Sequence, residues 1–156
     1  MTPEDLLHQY AQGPSLLAKS LIGVSSTQMN EHPVPGTWSI GEVICHLADA
    51  EIVYADRMKR VLVESNPTLF EWSPDDSIRD DLCLGRDLQN EMGIIRGVRL
   101  QMHSILTGQN IEVWQRTAVH TAEGPMTLET LLERIIQHIP HHLTFVEAKK
   151  RAMEGT

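Results

Sequence analysis

The chemistry in this sequence is concentrated in its histidines. There are eight of them against seven residues of the Phe, Tyr and Trp kinds, and three have a spacing that suits a metal ion. His138 and His142 stand four apart in TLETLLERIIQHIPHHLTFVEAKKRAM. On a helix that spacing stacks two imidazoles one turn apart, a distance that one cation can bridge. With Ile135 at the centre of the apolar stripe, His138 lies about 60° and His142 about 20° from it, so both point inward with the leucines and isoleucines. Two imidazoles in such a stripe cost desolvation unless each finds a partner, and a metal is a partner for both. His141, about 120° from the centre, sits at the edge of the face and is the poorer candidate.

The third histidine is His46, in WSIGEVICHLADAE. It lies about 100° from Leu47, at the margin where bundle helices meet. Taken alone, such a histidine is more often a hydrogen-bonded or partly exposed residue than a ligand. Added to an i, i+4 pair from another helix, it completes a three-nitrogen face with positions left open for water or substrate, as in catalytic zinc sites. Chemistry at such a site lowers the pKa of a water or small thiol and delivers hydroxide or thiolate to an electrophile. Imidazole suits zinc, nickel, copper and iron alike, so the ligands do not select the metal.

Glu51 falls in the middle of the same helix's apolar stripe, where a carboxylate is costly unless paired. One reading makes it the orienting partner of a ligating imidazole or a general base. The other pairs it with an inward arginine such as Arg99. Cys45 points away from the stripe and is not expected as a fourth ligand, and Asp49, on the polar side, is expected to be solvated. Trp38, Trp72 and Trp114 are expected to close the bundle ends. His8, His32, His103 and His120 have no partner spacing and are expected at the surface.

Four helices must hold these residues. The first runs from about Pro3 to Val24, with Gly13-Pro14 expected to kink it, and EHPVPG ends it. Ser39 and Glu42 form an S-x-x-E capping box that opens the second, which runs to about Glu64. A long loop with Pro67, Pro74 and SPDDS follows, from Asn66 to about Gly85. About twenty residues at roughly 3.3 Å each can cross a bundle, so helices two and three can run parallel. The third helix spans about Arg86 to Leu106, and Thr127 caps the last. Pro140 is expected to bend that last helix between the two ligands. Strand-like alternation is absent, so the reading is an all-α four-helix bundle, one domain over residues 1–156.

A chain of 156 residues can fold without staples. Lys plus Arg total 13 against 21 Asp plus Glu, for a net charge of -8, which repels phosphate backbones and anionic headgroups. Neither nucleic acid nor membrane is an expected partner. No apolar run approaches the ~20 residues of a membrane span, and MTPEDLL carries acidic residues where a signal peptide would be basic. Two cysteines with no CxxC point to a reducing, cytoplasmic setting.

The segments GTWSIGEVICHLADAEIVYADRMKRVL, NPTLFEW and VWQRTAVHTAEGPMTLETLLERIIQHIPHHL, in that order, resemble the DinB-like, or YfiT-like, superfamily of metalloenzymes. The most diagnostic part is W-S-x-x-E-V-x-x-H-L combined with a C-terminal HxxxH helix after a G-x-x-T-L turn. The resemblance implies an up-down-down-up bundle with a long crossover between helices 2 and 3, often as a homodimer. It implies His46, His138 and His142 as ligands of a divalent metal such as zinc, nickel or iron. It also implies a small-molecule substrate, with a low-molecular-weight thiol as a possible cofactor, since the family includes hydrolases, thiol transferases and an isomerase. The departure is Ile139-Pro140 between the two C-terminal histidines. The expected function is thus a metal-dependent hydrolase or thiol S-transferase. The rivals are a non-catalytic small-molecule-binding or stress-response bundle with a vestigial site, and a long loop that serves only as a dimerisation arm.

Overall fold

Each long helix begins where a side chain takes over amide hydrogen bonds that its first turn cannot make for itself. Thr2 accepts from the amide of Asp5, Ser39 from Glu42, Asp87 from Gln89 and Thr127 from Thr130. The computed structural model of the protein describes residues 2–83 and 85–154. In chain order the elements are α1 (Pro3–Ser20), α2 (Ser26–Met29), α3 (Ile40–Val63), β1 (Thr68–Leu69), α4 (Pro74–Ser77), α5 (Asp80–Cys83), α6 (Leu88–Leu106), a 3-10 turn (Ile111–Gln115), β2 (Thr117–His120), β3 (Gly124–Thr127) and α7 (Leu128–Glu154).

The four long helices α1, α3, α6 and α7 form the bundle, α1 and α3 each packing against both α6 and α7. Hydrogen bonds between helices fix their directions. Lys150 Nζ donates to the Ser20 carbonyl at 2.9 Å, joining the C-terminal ends of α1 and α7, so these two run parallel. Arg86, at the start of α6, grips Asp49 of α3 at 2.8 and 3.0 Å, and Lys59 reaches Gln101 at 2.7 Å further along, so α3 and α6 run parallel too. The segment from Glu64 to Asp87 crosses the bundle to allow this, and the order is up-down-down-up, as expected. Among the described residues no helix is long and apolar enough to cross a membrane.

Both internal prolines lie within unbroken helices. Pro14 has no N–H to give the Tyr10 carbonyl four residues back, and Arg99 of α6 supplies the missing donor through Nη1 at 2.8 Å. The same guanidinium donates to the Ile135 carbonyl of α7 at 2.7 Å and, through Nε, to Glu51 Oε1 of α3 at 2.7 Å. One side chain, 1% exposed, therefore ties α6 to the three other helices. Its cation lies over the Tyr10 ring at 4.6 Å, and the Tyr10 hydroxyl donates to Glu51 Oε2 at 3.3 Å. This polar layer separates two apolar clusters, one around Leu6, Met58, Met102 and Leu131, the other around Leu17, Ile44, Ile95 and Ile139.

Gly13 makes the room. A Cβ at that position would run into Arg99 Nη1 and press on Ile139. Alanine ordinarily favours a helix over glycine by about 1 kcal/mol, so the expected sign is reversed here: Gly13→Ala should lower the midpoint of thermal unfolding. An unchanged or raised midpoint would mean that Arg99 does not occupy the space.

Two expectations need correction. The four-helix bundle stands, but strands are not absent: β1 pairs parallel with β2 and β2 pairs antiparallel with β3 in a small three-stranded sheet beside it. Strands of two to four residues are too short to leave a readable alternation, and Arg60 helps to hold β1 to α3 by donating to the Thr68 carbonyl at 2.8 Å. Asp49 is not solvated but clamped by Arg86. Cys45, expected to point away from the apolar stripe of α3, is 1% exposed. The crossing segment brings Cys83 against it, and burial, with that hydrogen-bonded neighbour next, pushes the Cys45 thiol up to about 12.

Candidate metal centre

The capping box sets the site's first residue. Ser39 accepts from the Glu42 amide at 3.1 Å and its own amide donates to Glu42 Oε2 at 2.6 Å, which starts α3 in the register that turns His46 toward α7. Across the interface α7 presents His138 and His142 one turn apart. His46 Nε2 lies 3.0 Å from His138 Nε2, and His142 Nε2 lies 3.2 Å from the same atom. Among the described residues these three form the group able to hold a metal ion, with their ligand atoms all within 4.8 Å of one another.

Hydrogen bonding among the three rings cannot satisfy them. A neutral imidazole has one N–H and one lone pair, and His138 Nε2 faces two other ring nitrogens at once. All three Nδ1 atoms are buried and have no hydrogen-bond partner among the described residues. Burial, the leading cause for all three, holds His46 down to about 4, His138 to about 3 and His142 to about 4. Mutual repulsion adds to this for His138 and His142. The rings are therefore neutral at pH 7, with lone pairs to give. With zinc–nitrogen bonds of 2.0–2.1 Å, two ligands 90–110° apart lie about 2.8–3.4 Å from each other, which brackets both observed spacings. The residues present fit a divalent cation.

Aromatic rings cover the triad. Trp38 packs 4.9 Å from His46 at a tilt and 6.3 Å from His142 in a stack, and Trp72 stacks on His46 at 5.6 Å. These two tryptophans thus wall the site instead of closing a bundle end, and Trp114 is a buried core residue on the 3-10 turn. His141 is exposed and touches His142 edge-on at 5.2 Å without joining the triad. Glu51 is the partner of Arg99 and Tyr10, so the ion-pair reading holds for it, and it accepts no hydrogen bond from the Nδ1 of any of the three imidazoles. Burial raises its carboxyl and the Arg99 cation opposes that rise.

A cavity of 420 Å³ opens beside the triad and is lined, among others, by Tyr54, Arg57, Trp72 and His120. Two of these were missed in the sequence. His120, expected at the surface, is 5% exposed, because β2 folds it under the sheet toward α3. Arg57 is 8% exposed and donates to the Phe70 carbonyl at 2.7 Å. The readable signal for Arg57 was its place on α3. It follows His46, Ala50 and Tyr54 at spacings of four, four and three, on the same face of the helix. His8 and His32 do lie at the surface, where they meet Gln12 at 2.8 Å and Glu42 at 2.9 Å.

Comparison with known proteins places this architecture. The chain is 20% identical over 151 residues to "Putative metal-dependent hydrolase OB0413" of Oceanobacillus iheyensis, covering 94% of this chain and 86% of that one. It is 25% identical over 140 residues to a protein of the same descriptive name from Geobacillus kaustophilus, covering 88% and 78%. Among solved structures it is similar to YfiT from Bacillus subtilis, described as a probable metal-dependent hydrolase with an unusual four-helix bundle topology. The TM-score is 0.87 at 19% identity, over 97% of this chain and 87% of that one. A mycothiol-dependent maleylpyruvate isomerase shares the fold at a TM-score of 0.73 and 14% identity, over 92% of this chain and 60% of the other. The model of the DinB superfamily matches residues 9–146, and the chain belongs to that superfamily.

Proposed function

We propose that the protein is a divalent-metal-dependent enzyme whose centre is His46, His138 and His142 and whose reaction is hydrolysis or thiol S-transfer. The observation that carries this reading is the convergence of three imidazole Nε2 atoms, two of them 3.0 and 3.2 Å from the third, while their Nδ1 atoms are buried and unpaired among the described residues. Bound there, a divalent cation supplies Lewis acidity that turns a water or a thiol into a nucleophile near neutral pH. The chain contributes the rest. The three helix-borne imidazoles line the cavity, and Trp38 and Trp72 pack against His46 beside it. Glu51 is locked to Arg99 in the core and is not free to act as base.

The names of the curated relatives support the hydrolase form, and the isomerase with the same fold, whose name includes a thiol, supports the S-transfer form. Elemental analysis of the untagged protein after mild dialysis tests the metal. The expected result is near one zinc, nickel or iron per chain, lost in His142→Ala. Esters and amides, and separately electrophiles with and without small thiols, then divide the two reactions. No metal in the wild type, and no uptake from added zinc or nickel, would instead indicate a non-catalytic bundle.

A further inference from the structure

The cavity beside the histidines contains two donors that face each other, one of which, Arg57, also donates through Nη2 to the Phe70 carbonyl at 2.7 Å. The Ala122 amide donates to His120 Nδ1 at 3.2 Å, so that nitrogen carries the lone pair and Nε2 carries the proton. Yet Nε2 lies 3.3 Å from Arg57 Nη2, which has only protons to offer. The backbone amide has a single, fixed N–H and cannot turn away. The unsatisfied contact is therefore between Arg57 and His120, two donors side by side on the cavity wall.

Arg57 also lacks a counter-charge. It is 8% exposed, its cation lies 5.3 Å from the centre of the Tyr54 ring, and among the described residues it forms no ion pair. A guanidinium buried that far is costly unless an anion meets it, and its planar fork matches a carboxylate. The carboxylates on the cavity are Glu71, exposed, and Glu123, engaged by Arg134. Glu71 leaves negative charge on the cavity wall. One cation beside a neutral imidazole then favours a single carboxylate over a doubly charged phosphate.

We propose that Arg57 and His120 form a carboxylate subsite in this cavity, so that the molecule reacting at the three histidines is anchored by a carboxylate several bonds from its reacting atom. The helix sets the length. Arg57 follows His46 by eleven residues, about three turns or roughly 16 Å of rise on nearly the same face, and side chains lean toward the N-terminus, bringing the guanidinium back toward the histidines. Which atom reacts rests on the metal reading above; the carboxylate contact itself does not. The carboxylate can belong to the electrophilic substrate or to a thiol such as an amino-acid-derived one, and the same two donors receive either.

The test uses the full chain, metal-free and zinc-loaded. Long-range 1H–15N spectra should show His120 as the Nε2–H tautomer. Succinate, which has no thiol, should shift that ring saturably and perturb Trp72 fluorescence in both forms. Arg57→Gln should weaken binding at least about tenfold, the effect of losing one charge-assisted contact, with partial rescue by Arg57→Lys. Reduced glutathione against cysteamine, which lacks a carboxylate, separates the two sources: glutathione stronger than succinate on zinc-loaded protein assigns the subsite to the thiol, and the reverse assigns it to the substrate. An Nδ1–H tautomer, no saturable binding, or binding that survives Arg57→Gln and perturbs the triad instead would overturn the proposal. Should Arg57→Gln fail to fold, the wild-type His120 spectra and Arg57→Lys still decide. Metal without Arg57-dependent binding sinks this inference alone; Arg57-dependent binding without metal sinks the metal reading alone.

Discussion

Arg99→Met should lower stability by about 3–5 kcal/mol, the cost of removing one partner from a fully buried ion pair. Domains of this kind are stable by about 5–15 kcal/mol, so the variant is expected at the edge of folding. Four losses coincide. Glu51 is left as a buried carboxylate with only the Tyr10 hydroxyl as donor, and the Tyr10 carbonyl, orphaned by Pro14, loses its substitute. The Ile135 carbonyl loses a donor and the Tyr10 ring its cation. Denaturant unfolding of Arg99→Met, Glu51→Leu and the double variant separates the contributions. The double variant should recover much of the loss, because a buried pair replaced as a whole is often near neutral. A single Arg99→Met variant within 1 kcal/mol of wild type would show that the layer does not join the helices.

The residues of this layer show what one sequence can reveal and where it stops. Glu51 was visible as an anomaly on an apolar stripe, and Arg99 as a candidate partner. That Arg99 would also replace the hydrogen bond lost at Pro14 was not visible, because it depends on Gly13 opening a path between helices far apart in sequence. The same boundary runs through the candidate metal centre. The i, i+4 pair and the Ser39 capping box are local patterns, readable from helix periodicity, and they place His138, His142 and His46. His120 and Trp72 reach the cavity from a sheet and a crossing loop, whose two-to-four-residue strands leave no period to read. The burial of Cys45 and the clamping of Asp49 went unread for a related reason. A helical wheel treats the face opposite the core as solvent, whereas the crossover lays Cys83 and Arg86 over that face.

In the metal-free protein, His138→Leu should raise the unfolding midpoint even as it abolishes metal uptake. The triad is a poor core when nothing is bound. Three Nε2 atoms face one another and three Nδ1 atoms are buried unpaired, and each such group costs about 1–3 kcal/mol. Leucine at position 138 removes two of these atoms and disperses the other two rings, a gain of about 1–2 kcal/mol or a few degrees in a domain of this length. The pH dependence follows with a defined sign. The folded-state values of about 4 for His46, 3 for His138 and 4 for His142 lie below the 6.5 of an unfolded chain. The unfolded chain therefore binds more protons below about 6.5. Stability is fully present above that pH and is lost as pH falls through the window from about 6.5 to about 3. Carboxylates titrate in its lower half in both proteins, so the comparison of wild type with His138→Leu isolates the triad: the wild-type midpoint should fall more steeply from pH 7 to 5. Zinc or nickel should reverse the ranking at pH 7, stabilising wild type in proportion to ligand excess and leaving the variant unmoved. A site that weakens the fold when empty and strengthens it when filled is shaped for its ligand, whereas a vestigial one has no reason to retain that cost. Parallel pH profiles, or a His138→Leu variant less stable than wild type without metal, would place these histidines among ordinary core residues.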